Sequence, residues 1–269
     1  MRRVWLTAMI SLLAVPACRS LVRRPDAATL PVQHSIVRDQ LVMYSDFPLP
    51  KQHRLLDELA AQRGDVADRL GLPLSAEPIH VYLFRSPETF QTFIATHHPD
   101  FPQRRAFFVE TDARLSVYAY WGDRMAEDLR HEVAHGYLHA SVRYLPLWLD
   151  EGLAEYFEVP RGFRGRNFSH MAELTDRVSR GDWRPDIRHL ERIASAAEMT
   201  QLDYAESWAW VYFLLETTSE RKDLLRGYLQ HLRQEGTAPP LSLALRTLHV
   251  EPNQTLLEYV GTWPAAGDE

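Results

Sequence analysis

The sequence is almost free of cysteine, and Cys18 is the only one among 269 residues. One cysteine cannot form a disulfide within the chain, and its isolation excludes the cysteine-rich zinc sites of fingers and ribbons. Any metal site in this protein must therefore be built from the 12 histidines together with carboxylates.

Other common signals are missing as well. No glycine-rich loop lies between a predicted strand and a predicted helix, so nothing indicates a phosphate site. No Gly-x-Ser-x-Gly elbow is present, which leaves a serine hydrolase without support. An excess of positive charge is also absent, because the formal net charge is −6, and we expect no nucleic-acid partner.

The composition that remains is that of a globular protein. Hydrophobic residues make up 45% and charged residues 25% of the chain, which excludes disordered, collagen-like and multi-span membrane proteins. The composition leaves the oligomeric state open.

The N-terminal segment has the layout of a secretory signal. Two arginines precede about a dozen mostly apolar residues, and this run is too short to span a bilayer. We predict a signal peptide over residues 1–17, lipidation of Cys18 and a basic tether over residues 18–38. The protein is then exported and lipid-anchored in the cell envelope, facing the periplasm or the exterior. The alternatives are plain cleavage after Ala17 and an N-terminal core helix.

The rest of the chain reads as α+β. Strand-like runs at residues 40–45 and 79–85, a hairpin over residues 105–121 and two helices before it predict a mixed sheet in the N-terminal half. Helical segments follow near residues 125–142, 147–158, 168–180, 186–197, 203–217 and 220–235, with Pro and Gly between them. We expect one domain over residues 39–236 and a helical tail over residues 237–269 packed on it.

The strongest motif is His131-Glu132-Val133-Ala134-His135. Residues four apart share one face of a helix, so His131 and His135 can bind a single metal ion. Glu132 stands beside them, placed to reach a water molecule on that ion. A catalytic zinc needs a third protein ligand and one open position, and the third ligand must come from elsewhere in the chain.

Downstream, residues 148–157 read Trp-Leu-Asp-Glu-Gly-Leu-Ala-Glu-Tyr-Phe. Together with the His-Glu-x-x-His motif, this segment resembles the gluzincin metallopeptidases, and the spacing is similar to that of the exported peptidase MA-like proteins. The resemblance implies a zincin-like fold, one Zn²⁺ ion and a peptide or protein substrate. It also implies that Glu151 is the third zinc ligand.

The same resemblance suggests further roles. Glu155, one turn after Glu151, would hold a ligand histidine through its second ring nitrogen, or would simply lie on the surface. Tyr204 would stabilise the oxyanion, while Tyr212 is an alternative that fits the core equally well. Zincins bind extended peptides along an exposed sheet edge, which residues 115–120 could provide.

Two neighbouring residues receive other interpretations. His139 lies two turns, roughly 12 Å, from His131 on a straight helix, so we expect it to be structural or to support a ligand. Asp150 is expected to face solvent.

These observations favour a membrane-tethered zinc metallopeptidase in which Glu132 is the general base. One alternative is a zincin-fold binding or scaffold protein of the cell envelope that has no turnover. Another is a zinc hydrolase that acts on a non-peptide amide.

Overall fold

The computed structural model describes residues 29–264, so the predicted signal peptide and Cys18 lie outside the described residues. The fold is α+β, as expected from the sequence. A mixed sheet formed by the N-terminal half is followed by a mostly helical C-terminal half. Between residues 29 and 264, every helix is too short or too polar to cross a lipid bilayer.

The described residues form one mixed sheet of five strands, in the order β1-β2-β3-β5-β4. The strands are β1 (His34–Arg38), β2 (Leu41–Ser45), β3 (Ile79–Phe84), β4 (Ala106–Thr111) and β5 (Arg114–Tyr120). The three central strands are parallel, and each outer strand is antiparallel to its neighbour. The parallel strands are nearly continuous apolar runs, because helices cover the sheet.

Two sequence expectations about the sheet are wrong. Residues 34–38 belong to strand β1 rather than to a tether, and their partly exposed edge position explains why no apolar alternation predicts them. Strand β5 is an interior strand, paired with both β3 and β4, so it offers no free edge. The predicted hairpin is present, but its second strand lies inside the sheet and its first strand, β4, forms the edge.

The helices follow the predicted pattern closely, except that only a short helix forms within residues 186–197. Their bounds are α1 (Arg54–Leu70), α2 (Pro87–His97), α3 (Met125–His139), α4 (Leu147–Phe157), α5 (Phe168–Arg180), α6 (Ile187–Leu190), α7 (Gln201–Glu216), α8 (Ser219–Glu235), α9 (Leu241–Leu245) and α10 (Pro252–Val260). Local signals mark several ends: Ser86 caps α2, and α1 stops at Gly71 in the left-handed conformation.

Helix α3 lies directly on the sheet. A Cβ atom at Gly136 would stand 2.9 Å from the Ile79 side chain, so glycine is what allows this close approach of α3 to β3. The His-Glu-x-x-His motif on α3 is thereby held against β3, the middle strand of the sheet.

Helix α7 is the centre of the helical half. It is buried on nearly all sides and packs against α4, α5, α8 and α10. A reciprocal capping box between Thr200 and Asp203 defines its start. The C-terminal segment also packs on this body, since Trp263 contacts Trp208 and Tyr212.

Candidate metal centre

Three predicted ligands meet between α3 and α4. His131 and His135 lie one turn apart on α3, and their Nε2 atoms are 3.2 Å from each other. The Glu151 Oε2 atom on α4 lies 3.5 Å from the first nitrogen and 3.7 Å from the second. These three atoms surround one point and could hold a metal ion there.

The Glu151 carboxylate is incomplete without such an ion. Its Oε2 atom is buried and has no hydrogen-bond partner among the described residues. A buried charged oxygen without a partner is costly, and a cation is the simplest group to satisfy it. Burial alone would lower the pKa of His131, but the neighbouring carboxylates of Glu151 and Glu158 outweigh it and raise that pKa well above its ordinary value. These carboxylates therefore create a negative potential at the ligand atoms, which favours a positive group there, either a proton on His131 or a bound cation.

Carboxylates also hold the far side of each histidine ring. His135 Nδ1 donates to Asp150 Oδ1 at 2.9 Å, and His131 Nδ1 donates to Glu158 Oε2 at 3.0 Å. A metal-binding histidine usually donates its second nitrogen in this way, which fixes the tautomer and leaves Nε2 free for the metal. The structure thus orients both rings toward the same point.

These contacts correct two sequence expectations. Asp150 does not face solvent: its side chain is only 13% exposed and bonds two histidines. The histidine-supporting role expected of Glu155 falls to Glu158, one turn further along. Glu155 instead accepts hydrogen bonds from His170 Nε2 at 2.8 Å and from Asn167.

His139 lies behind the centre. Its Nε2 donates to Asp150 at 2.9 Å and its Nδ1 donates to Glu110 on β4 at 2.6 Å. Burial would lower its pKa, yet the two carboxylates raise it to about 9, so both ring nitrogens carry protons at neutral pH. A chain of contacts therefore runs from His135 through Asp150 and His139 to the edge strand.

Helices α4 and α7 cross very closely beside the centre. A Cβ atom at Gly152 would stand 2.5 Å from the Ser207 carbonyl oxygen, so this position admits only glycine without movement of a backbone. The crossing sets Glu151 on α4 relative to the first turns of α7.

The start of α7 supplies Tyr204 to the same cleft. Its hydroxyl accepts a hydrogen bond of 3.0 Å from Arg104 Nη2, and burial raises its pKa. Tyr212, the alternative, stacks on Trp208 in the core and does not line the cleft. Of the two tyrosines, the structure brings only Tyr204 near the predicted ligands.

A cavity of about 710 Å³ opens in front of the centre. Glu132 lines it beside His131, and burial raises the pKa of Glu132 while the charges of His131 and His135 oppose that rise. A carboxylate whose pKa lies nearer to neutral pH is a better general base. The other lining residues include Arg104, Arg105, Arg124, Glu127, Asp128, His170 and Tyr204.

Comparison with known proteins gives a family without an assigned activity. Residues 126–241 match the family described as "Protein of unknown function (DUF1570)". The match covers less than half of the chain, but it contains α4 to α8 and all of α3 except its first residue, and with them every predicted site residue that the structure describes. A search of curated proteins found no match.

Three residues at the site escaped the sequence analysis. Glu158 follows Glu151 by seven residues, two helical turns, so helical periodicity could have indicated it. Glu110 and Arg104 lie at opposite ends of the β4 region, far from the motif in sequence, and no spacing rule links them to it. Only the folded sheet brings them to α3 and α7.

Proposed function

We propose that this protein is a zinc-dependent metallopeptidase. The observation that carries the proposal is the convergence of His131 Nε2, His135 Nε2 and the unpartnered Glu151 Oε2 at separations of 3.2–3.7 Å. Two ligand atoms on a tetrahedral zinc ion lie roughly 3.3 Å apart, and two histidines with one glutamate form a known catalytic zinc set with one open position. The donor set and its spacing therefore fit zinc.

The side chains around this point fit peptide hydrolysis. Zinc, when bound there, would polarise a water molecule and bring its pKa toward about 7. The Glu132 carboxylate accepts the proton of the attacking water and then delivers it to the leaving amine. The Tyr204 hydroxyl donates a hydrogen bond to the oxyanion that forms at the attacked carbonyl.

The edge strand offers a place for an extended substrate. In the described part of the chain β4 pairs only with β5, and Ala106 at its start lines the cleft. A peptide added to this edge would pass in front of α3, with its main chain bonded to β4. The edge that we assign to the substrate is thus β4 rather than the β5 segment expected from sequence.

The test uses the full chain purified with and without added zinc. We expect one bound zinc ion per chain by mass spectrometry of the metal, and cleavage of members of a random peptide library. Glu132→Gln should retain zinc but lose at least 99% of the cleavage rate, because the general base is removed. Glu127→Gln is the matched control, since this carboxylate lines the same cleft from the same helix but is exposed and paired with Arg124.

The alternatives give different results in the same experiment. A binding or scaffold protein would bind zinc and cleave nothing. A hydrolase of non-peptide amides would leave peptides intact but cleave model amides in a Glu132-dependent manner. Absence of bound zinc in the wild-type chain would contradict the metal centre itself.

We also propose that the chain is exported and anchored by lipid on Cys18, from the pattern of its first 18 residues. Mass analysis of the mature N-terminus from membranes should show a lipidated Cys18. Cys18→Ala should release the protein into the soluble envelope fraction. An intact residue 1 in the mature protein would contradict export.

A further inference from the structure

Three arginines line the cleft, and two of them are neutralised by acids of α3. Arg105 binds Asp128 through two guanidinium nitrogens, with contacts of 2.6 to 3.2 Å. Arg124 is paired with Glu127 one turn away. Neither guanidinium is therefore available to a ligand without breaking an ion pair.

Arg104 differs from these two arginines. Its guanidinium has no carboxylate oxygen within 4.0 Å among the described residues, and its single hydrogen bond there goes to the Tyr204 hydroxyl at 3.0 Å. A guanidinium has five N–H donors, so four of those of Arg104 remain free. The residue is exposed and lines the cleft in front of the metal centre.

The nearest opposing charges do not satisfy Arg104. Glu132 and Glu151 interact with it at long range, but the first serves as the base and the second as a metal ligand in the function proposed above. A bound divalent ion would offset these two carboxylates, and the positive charge of Arg104 would remain uncompensated in the cleft.

The hydrogen bond to Tyr204 does not by itself explain why an arginine stands at position 104. A neutral side chain with one donor group could hold the tyrosine hydroxyl without placing an uncompensated charge in the cleft. Two acids in the cleft could bind a cationic group of a substrate instead, but both already have histidine partners. Glu158 accepts a hydrogen bond from His131, and Glu155 accepts one from His170.

We propose that Arg104 binds a carboxylate of the substrate and makes the enzyme selective for anionic peptides. This inference rests on the proposed peptidase function. A planar guanidinium matches a carboxylate with two parallel hydrogen bonds. Because the same residue touches Tyr204, the carboxylate belongs to a residue one or two positions from the scissile bond, either as an acidic side chain or as the C-terminus.

The test measures binding apart from turnover. The probes are octapeptides with one Glu, which stands at a different position in each member of an otherwise neutral series. Each peptide has a partner with Gln in place of Glu, and every peptide is made both with a free and with an amidated C-terminus. Calorimetry with the full chain, both chelator-treated and as zinc-loaded Glu132→Gln, gives the affinities. Chelator treatment removes any carboxylate binding that is due to the metal.

We expect peptides with a carboxylate at one preferred position to bind about tenfold more tightly than their matched partners. This gain in affinity is what one charge-assisted hydrogen bond contributes. A preference that follows Glu identifies a side-chain pocket, and one that follows the free terminus identifies a C-terminal pocket. Arg104→Gln should remove the preference, Arg104→Lys should retain part of it, and the matched control Arg105→Gln should leave it intact.

Two results would overturn the inference. Equal affinity for all matched peptides would show that the cleft does not select carboxylates, and a preference that survives Arg104→Gln would assign it to another residue. Both are separate from failure of the peptidase proposal, which appears as missing Glu132-dependent cleavage of every peptide. Circular dichroism of each variant establishes that the fold is retained.

Discussion

Single carboxylates decide how the two histidines of the candidate metal centre are oriented. Asp150 and Glu158 each bond the ring nitrogen that faces away from the metal point. Such contacts fix the ring angle and the tautomer, so their loss affects metal binding although neither acid would touch the ion. Two predictions at the scale of single residues follow from these contacts.

The first concerns Asp150. Asp150→Asn replaces a carboxylate that bonds His135 and His139, so we expect zinc affinity to fall by about tenfold to a hundredfold. Glu110→Gln, at the outer end of the same chain of contacts, should cost less than a factor of about five. Competition with a chromophoric chelator measures both affinities. Equal effects, or none for Asp150→Asn, would show that the contact does not orient the ligand.

The second prediction distinguishes two neighbouring acids at the C-terminal end of α4, Glu155 in its last turn and Glu158 directly after it. Glu158→Gln removes the partner of His131, and we expect about a tenfold loss in zinc affinity. Glu155→Gln changes contacts to His170 and Asn167 and should alter zinc affinity far less. The same chelator competition decides between them. The reverse ranking would restore the role that the sequence suggested for Glu155.

The sequence predicts the three residues of the candidate metal set but not the residues that support them. The spacing of His131 and His135 fixes their shared face through helix geometry alone, and the structure places Glu151 beside them. The expectation that Asp150 faces solvent is wrong: it rests on the fact that adjacent residues on a helix face different directions, with Glu151 expected to face the candidate metal site. In the structure the Asp150 carboxylate lies against α3 and bonds both His135 and His139, a packing detail with no sequence signal.

Among the elements, the crossing of α4 and α7 is the most demanding contact. Gly152→Ala would push a methyl group against the Ser207 carbonyl, and we expect a loss of about 3 kcal/mol in the free energy of unfolding. Gly64→Ala is the matched control: Gly64 lies in α1 with nothing within 4 Å of an added Cβ, so alanine should stabilise by about 0.5–1 kcal/mol. Urea denaturation measures both. A tolerated Gly152→Ala would mean that the helices can separate.

Element types were predictable where periodicity and capping agree, as in α1, α2, α3 and the β4–β5 hairpin. What the sequence leaves open is the order of strands in the sheet, because pairing between distant strands depends on packing and not on local pattern. That is why the pattern predicts the hairpin but not which of its strands forms the edge. It is also why β1, exposed along most of its length, has no strand signal.

For the whole molecule, metal binding should contribute measurably to stability. At a free zinc concentration roughly 1,000 times the Kd, linkage adds about 4 kcal/mol, which raises the Tm of a chain of this size by about 10 °C. Thermal denaturation with zinc and with a chelator measures this difference. His135→Ala should abolish it, and magnesium should not replace zinc, because this ion prefers oxygen ligands. A Tm unaffected by the chelator in the wild-type chain would contradict a metal centre.

The outer strand β4 has a practical consequence for handling the protein. Among residues 29–264 its backbone pairs with another strand on one side only, and its contacts with the helical half include histidines at the candidate centre: Glu110 bonds His139, and Phe108 packs on His135 and His139. In the proposed zinc enzyme, loss of the ion would loosen these rings and with them the attachment of this strand, whose open edge is a template for self-association. Metal-stripped preparations should therefore scatter light and precipitate on concentration sooner than zinc-loaded ones, so that solubility itself reports on occupancy of the centre.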